Sequence, residues 1–396
     1  MKILLLNHNV VGRGTYLRCY DLGRYLAKEG HEVTLLTTSL SSRLRTSTRR
    51  DEGVEVVEFP DLFSGPWRTG ICPWNTLRRI IYLTGKRFDL VHAFDTRPVV
   101  IFPALFYKLA ARVPLVIDWA DWWGRGGTIQ ERSGPLYSAT LGRVETFFEE
   151  YFRRFADAST VISTALKRRL AGLGTAPSTI LVLPQGTESP PGPLPERAVL
   201  RRTLGLPAEG PFVGHLGALF ENDARLLFAS VLRAREERSD LRLVLIGRHR
   251  LRLSRFPGVM DFTLETGEIT PEEVWQYLGA CDLLLLPMVK SIANDGRWPS
   301  KFNLYLASGR PVVSTPISDI KTIFEREGIG LLAADRPDDF SRAILELLRD
   351  EARQKELGKK GQGYAESVLN WPVLVRGLLA HYDQALARRG KTSGGA

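Results

Sequence analysis

Two clusters in the chain have residue types and spacing suited to chemistry. The first lies in NDGRWPSKFNLYLASGRPVVSTP, residues 294–316, where Arg297 and Lys301 flank Pro299 and Ser300. The pattern predicts a helix over 301–307 with Ser300 as its N-cap, stopped at Gly309 and followed by a buried strand. Cations beside a helix N-terminus suit a phosphate, because free amides and the positive end of the dipole point at the same place. The second cluster is IDWADWWGRGGTIQER, residues 117–132. Here Asp118 and Asp121 leave the end of a predicted strand beside Trp119, Trp122, Trp123 and Arg125. Either carboxylate could orient a hydroxyl or accept its proton. The three indoles offer flat apolar faces for stacking.

Glycine turns recur at the ends of other predicted strands. Gly12, Arg13 and Gly14 follow the first one, where glycine lets backbone approach a ligand and a helix start offers amides to an anion. Gly186, His215 with Gly217, Gly247 with Arg248, and Gly267 with Glu268 close four later strand or loop segments. In an open parallel sheet such positions share one rim, which suits a bound nucleotide.

These residues need a scaffold that brings strand ends together. Continuous apolar runs (KILLLN, HEVTLLTT, VEVVEF, FDLVHAF, PLVIDW, ASTVIS, ILVLPQG) alternate with amphipathic segments in the first half. Runs of that kind mark parallel strands covered on both faces. A Pro/Gly-rich stretch, GTESPPGPLPE, interrupts the alternation, which then resumes with PFVGHLGAL, LRLVLIG, LLLLP and RPVVST. The expected architecture is α/β: two Rossmann-like domains facing a cleft. The expected boundaries are 1–188, a linker at 189–197, a second domain at 198–370, a closing helix at 371–390 and a disordered tail at 391–396.

At 396 residues the chain is long for one core. Hydrophobic residues make up 44% and charged ones 25%, proportions of a globular protein. VVIFPALFYKLAA, broken by Pro103 and Lys108, is too short to span a bilayer. The three cysteines are scattered, with no metal spacing, and their odd number suits a reducing cytoplasm. The net charge of +10 is concentrated in residues 1–188, which hold 25 Lys/Arg against 18 Asp/Glu. That excess favours an anionic partner.

The order of these motifs resembles the GT-B glycosyltransferases of the large family numbered 4. The resemblance rests on GRGTYLR, GHEVTLLT, FDLVHAF, ADASTVIS, ILVLPQGTE, VGHLGAL, ACDLLLLP, PSKFNLYLASGRPVVST and LNWPVLVRGLLAHY, and it covers nearly the whole chain. It implies sugar transfer from a nucleotide-sugar (UDP-, GDP- or ADP-linked) to an acceptor, with retained configuration, no cofactor and no required metal. It implies a closing helix, from Trp371, that crosses back onto the first domain. Arg297 and Lys301 then become the diphosphate clamp, with Ser300 and the glycine rim (Gly12 and Gly14 included) around the donor. Arg13 and the tryptophan cluster face the acceptor.

The chain departs from the family pattern at several positions. Gly296 and Leu304 stand where two glutamates are usual, with Asp295 the carboxylate next to the first. His215 and Phe220 replace an Arg and a Lys, and Ala120 replaces a histidine. These departures keep two rivals open: a non-catalytic sugar-nucleotide binder or assembly partner, and a nucleotide-sugar isomerase or hydrolase.

Residues 67–87 combine Trp67, Trp74, Leu77, Ile80 and Ile81 with five Lys/Arg, and RLRTSTRR (43–50) adds four arginines. Basic amphipathic segments suit an anionic membrane surface. They place the protein in the cytoplasm at the inner membrane face, near a glycan or lipid-linked acceptor. Nucleic acid is not expected, because no stacking motif accompanies the basic runs.

Overall fold

The computed structural model describes residues 1–393 except Ser64, Pro66, Trp67, Ser133 and Arg250. The expectation for Trp67, and the end of the expected tail at 394–396, lie outside the described residues. Contacts divide the chain into two units. The first holds Met1–Pro184, Gly296–Trp298 and the chain from Trp371 on; the second holds Gln185–Asp295 and Pro299–Asn370.

The first unit is built on an eight-stranded sheet. Its strands are β1 (Lys2–Val10), β2 (Glu32–Thr38), β3 (Ser47–Asp51), β4 (Val54–Phe59), β5 (Leu90–Phe94), β6 (Leu115–Trp119), β7 (Ala158–Val161) and β8 (Ile180–Val182). The order across the sheet is β3-β4-β2-β1-β5-β6-β7-β8. All neighbours are parallel except β3, which runs antiparallel to β4. Leu4 and Leu6 face one core with Val91 and Ile117, while Ile3 and Leu5 face the other, so both sides of β1 are apolar.

The helix Thr15–Lys28 and the closing helix Trp371–Ser393 share that second core. Trp371, Leu374, Val375, Leu378, Tyr382 and Ala385 recur at helical spacing on its buried side. The closing helix thus belongs to the first unit, and it is helical through 391–393, where a disordered tail was expected.

The second unit has six parallel strands: β9 (Phe212–Leu216), β10 (Arg242–Ile246), β11 (Thr263–Glu265), β12 (Leu283–Leu286), β13 (Val312–Ser314) and β14 (Leu331–Leu332). Their order is β11-β10-β9-β12-β13-β14. The unit starts at Gln185, before the expected boundary, and Arg197 already opens a helix, Arg197–Thr203. Arg197 and Arg201 both pair with Asp282, and Arg201 reaches the Ala280 carbonyl, so this helix is tied to the second sheet rather than serving as a spacer.

Two basic segments differ from expectation. Arg49 and Arg50 lie in edge strand β3, where Arg49 pairs with Glu58 and donates to the Tyr16 hydroxyl. A polar, charged edge of this kind protects the sheet from further pairing. In the helix Pro73–Leu83, Arg79 points inward and is fully buried, donating to the Asn7 and Val99 carbonyls.

Candidate functional site

In the first unit the C-terminal ends of β1, β5 and β6 surround a pocket of about 270 Å³. At its base a directional polar chain runs through the sheet. Burial holds the His92 pKa down at about 3, so its ring is neutral. Thr160 Oγ1 donates to Asp118, so it must accept from His92 Nε2–H at 3.0 Å. Nδ1 then accepts from the Tyr382 hydroxyl at 2.7 Å. Asp118 takes two hydrogen bonds from Arg18, at 3.1 and 3.0 Å. Despite burial, the Arg18 guanidinium keeps the Asp118 carboxyl below its usual range. Arg18 also donates to the Leu183 and Pro184 carbonyls. Asp118 is therefore committed to holding Arg18 and the end of β8, and this corrects its expected role as proton acceptor.

The tryptophan loop is organised by a residue that sequence reasoning missed. Glu149 is buried and accepts from Trp119 Nε1 (3.0 Å), Trp123 N (2.9 Å) and Gly124 N (2.6 Å). A Cβ on Gly124 would come within 2.2 Å of that carboxylate. Burial raises the Glu149 pKa. No spacing signal marks Glu149 in the sequence, because it lies on a distant helix, Leu141–Tyr151.

Trp119 is buried, with the Arg153 guanidinium 4.0 Å from its ring centre, so it offers no face to a ligand. Trp122 is covered by Arg169 at 4.2 Å and donates to the Arg125 carbonyl. Arg125 itself is exposed, 3.5 Å from Glu150. Only Trp123 keeps an exposed indole while lining the pocket, anchored by its Nε1 to Glu145 at 2.8 Å. Asp121 also lines this pocket and is exposed.

Two further residues join it. His8 Nδ1 stands 3.4 Å from the Asp95 carboxylate. Asp95 has φ 87, strained for a residue with a side chain, and its Oδ1 accepts from the Thr96 amide. Burial lowers the His8 pKa to about 4, outweighing the pull of Asp95, so His8 is neutral near pH 7. His8, Asp95 and Arg97 all line the pocket.

The turn after β1 does not offer the expected anion site. Thr15 N donates to Asn9 Oδ1, Tyr16 N to the Arg13 carbonyl and Leu17 N to the Gly14 carbonyl. Gly14 has φ 56, and a Cβ there would press on Asn9 at 2.9 Å, so this glycine serves the local cap. Gly12 also has positive φ, and Arg13 is exposed.

Gly296 and Arg297 fall in the first unit as well. A Cβ on Gly296 would lie 2.4 Å from Trp122 Cβ, and its carbonyl accepts from Ser163 Oγ. No side chain fits where the resemblance places a glutamate.

In the second unit, glycines end three adjacent strands: Gly217 (φ 68), Gly247 (φ 78) and Gly267 (φ 69). Gly217 N donates to the Ile246 carbonyl, and Gly247 N to Thr266 Oγ1. Beside Gly217, His215 is buried with Nδ1 3.0 Å from the Leu285 carbonyl. A carbonyl only accepts, so Nδ1 carries the proton and Nε2 offers a lone pair. Lys301 Nζ meets that lone pair at 2.9 Å and donates to the Ala218 carbonyl at 2.7 Å. Burial, reinforced by the Lys301 charge, drives the His215 pKa well down. The pair therefore stays a neutral imidazole holding an ammonium.

Other expected donor residues are placed as follows. The N-cap of the helix Ser300–Ala307 is Pro299, and Ser300 is its exposed first residue with no capping bond. Asp295 Oδ1 accepts from Ser318 N, which has φ 48, so part of this carboxylate holds a strained turn rather than a sugar. Gly186 is buried next to Thr187, which bridges to Asn370. Arg248 and Glu268 are exposed. Among the described residues no cluster of His, Cys, Asp or Glu is placed to hold a metal ion, and no helix is long and apolar enough to cross a membrane.

Comparison with known families agrees with this architecture. The family pattern "Glycosyl transferase 4-like domain" matches residues 13–186, and "Glycosyl transferases group 1" matches 210–350. The chain belongs to the GT-B glycosyltransferases of these families. It is 29% identical over 242 residues to a D-inositol 3-phosphate glycosyltransferase of Acidothermus cellulolyticus, covering 56% of this chain and 52% of the relative. It is 26% identical over 201 residues to a putative teichuronic acid biosynthesis glycosyltransferase of Bacillus subtilis, covering 47% and 45%. The chain thus spans about half the length of the curated relatives it matches.

Among solved structures, a sucrose-phosphate synthase from Thermosynechococcus elongatus aligns with TM-score 0.76 at 17% identity, covering 98% of this chain and 99% of that one. Anabaena HepE in complex with UDP-glucose aligns with TM-score 0.71 at 17% identity, covering 97% and 100%. These two show the shared fold.

Proposed function

We propose that the protein transfers a sugar from a nucleotide-sugar to a hydroxyl of an envelope glycan or lipid-linked acceptor, with retention of configuration and no required metal. The observation that carries this reading is Lys301, held by neutral His215 beside the Gly217 turn. A fixed ammonium stabilises charge that develops on a departing diphosphate, and it does so without reorganising in the reaction. Lys301, on the helix Ser300–Ala307, supplies a cation to a rim where His215 and Phe220 stand in place of the Arg and Lys usual in the family.

In the step itself, the acceptor oxygen forms a bond to the anomeric carbon on the face the diphosphate leaves. The carbon–oxygen bond to the diphosphate breaks, and the acceptor proton passes to a diphosphate oxygen. No carboxylate nucleophile is needed. The first unit's pocket supplies acceptor contacts: Asp121, His8 with Asp95, and the exposed face of Trp123. Neutral His8 accepts a hydrogen bond from a hydroxyl and so orients it. Arg297 remains a proposed diphosphate contact. The HepE complex with UDP-glucose supports a uridine donor. The relatives' names, a D-inositol 3-phosphate glycosyltransferase and a putative teichuronic acid biosynthesis glycosyltransferase, support an inositol-phosphate or glycan acceptor.

Thermal stabilisation by UDP-, GDP- and ADP-sugars tests donor binding, and no shift with any of them overturns the reading. With a bound donor, product analysis by NMR checks retention, and activity in EDTA checks metal independence. Gly296 favours one rival, a binder that does not turn over, because it removes a carboxylate from the donor motif. Donor binding without transfer or hydrolysis would establish that rival.

A further inference from the structure

Two helices of the first unit leave their apolar faces uncovered, side by side. On Pro98–Ala111, Phe102, Phe106 and Leu109 recur at intervals of four and three, and all are exposed. On Leu141–Tyr151, Leu141, Val144 and Phe147 recur every three residues, each about half exposed. The stripes are continuous: Phe102 packs edge-on to Phe148 and Phe152, and Phe147 packs edge-on to Phe148. Lys108 on the first helix donates to the carbonyl of Phe155, another exposed aromatic just beyond the second. An exposed apolar surface of this extent marks an interaction site.

The charges around it choose the partner. Nearby carboxylates are committed: Glu145 to Arg97, Glu150 to Arg169, and Asp157 to Lys108. Arg112, at the end of the first helix, and Arg143 and Arg154, on and just after the second, have no carboxylate partner among the described residues. Arg143 and Arg154 also line a pocket of about 800 Å³ together with Phe147 and Tyr151. Apolar residues rimmed by arginines without carboxylate partners, Arg154 stacked 4.1 Å from the Tyr151 ring centre, match an anionic lipid surface, with hydrocarbon against the phenylalanines and phosphates against the guanidiniums. A two-fold contact with a second copy would enclose these arginines from both copies in one apolar interface, while the nearby carboxylates are already committed.

We infer that this face docks on an anionic bilayer, with the arginine-lined pocket receiving a lipid phosphate headgroup. It deepens the lipid-linked-acceptor part of the proposed function and moves the expected membrane contact from residues 67–87 to these two helices. The helix Pro73–Leu83, with Leu77 and Ile81 exposed, is the rival location.

The test is co-sedimentation of the full chain with vesicles of phosphatidylcholine, with and without phosphatidylglycerol. The expected result is binding only when the anionic lipid is present. Arg143→Glu and Arg154→Glu should each weaken it about 5-fold or more. Leu109→Ser and Leu141→Ser should each weaken it roughly 10-fold. Unchanged melting curves for these surface variants confirm that they fold. Absence of vesicle binding, or a stable dimer that Leu109→Ser disrupts, overturns the inference. Loss of binding in Leu77→Ser/Ile81→Ser but not in Leu109→Ser/Leu141→Ser also overturns it. The assay involves no turnover, so its failure is distinct from a failure of sugar transfer, which the donor panel reads.

Discussion

The two sheets end their strands in different materials. In the first unit the rim is made of charged and aromatic side chains: His8, Asp95, Asp121 and Trp123, with Asp118, Glu149 and Arg153 buried beneath them. In the second unit the rim is mostly backbone. Gly217, Gly247 and Gly267 turn through positive φ, and one ammonium stands beside a neutral histidine. A backbone rim suits a group common to many substrates, such as a diphosphate. A side-chain rim suits a variable one, because each residue can change without unmaking a turn.

That contrast can be broken experimentally, and the largest effect is expected in the buried chain of the first unit. Asp118→Ala leaves the Arg18 guanidinium buried without its counter-charge and should cost about 3–5 kcal/mol, read by chemical denaturation. A small loss would mean that the Leu183 and Pro184 carbonyls suffice for Arg18. In the second unit, Lys301→Ala should lower kcat/KM by roughly 100-fold or more with an unchanged melting temperature. Unchanged kinetics would remove the proposed diphosphate contact.

Gly296→Ala presses a methyl group on Trp122 and should destabilise by about 1–3 kcal/mol. Trp122→Gly in the same chain, which removes the Cβ that the new methyl would meet at 2.4 Å, should recover part of that loss, which a double-mutant cycle measures.

The smallest effect is a pH slope. His92 has an ordinary pKa of 6.5 and a folded one of about 3. The unfolded chain therefore binds a proton that the folded chain refuses between those values. Stability is intact above 6.5 and falls as the pH drops, by about 1.4 kcal/mol per unit for this one histidine. Denaturation midpoints at neutral and mildly acid pH should show the fall, and His92→Gln should make it shallower.

The parallel strands were legible because each is an apolar run with a glycine or polar stop. KILLLN, LRLVLIG and LLLLP all became strands. Edge strand β3 was not legible, because an exposed edge carries Thr and Arg rather than Val and Leu. The helix Pro98–Ala111 was read only as an apolar run. It exposes phenylalanines on the side opposite its core contacts, so it lacks a polar face to set a helical period. Arg79 looked like a surface cation, and only the carbonyls of Asn7 and Val99, distant in sequence, make its burial tolerable.

By itself the sequence determined the alternation of strands and helices, the glycine turns at strand ends and the motif order that marks the family. These depend on local patterns of polarity and on backbone freedom at single residues. Tertiary structure decided what the charges do. Asp118 became a counter-ion because Arg18, a hundred residues away, lies against it, and Lys301, on a helix, gained its position from His215 on strand β9. Glu149 became the organiser of the tryptophan loop. A charge takes its role from the partner that replaces its water, and in each of these cases the chain delivers that partner from far away in sequence.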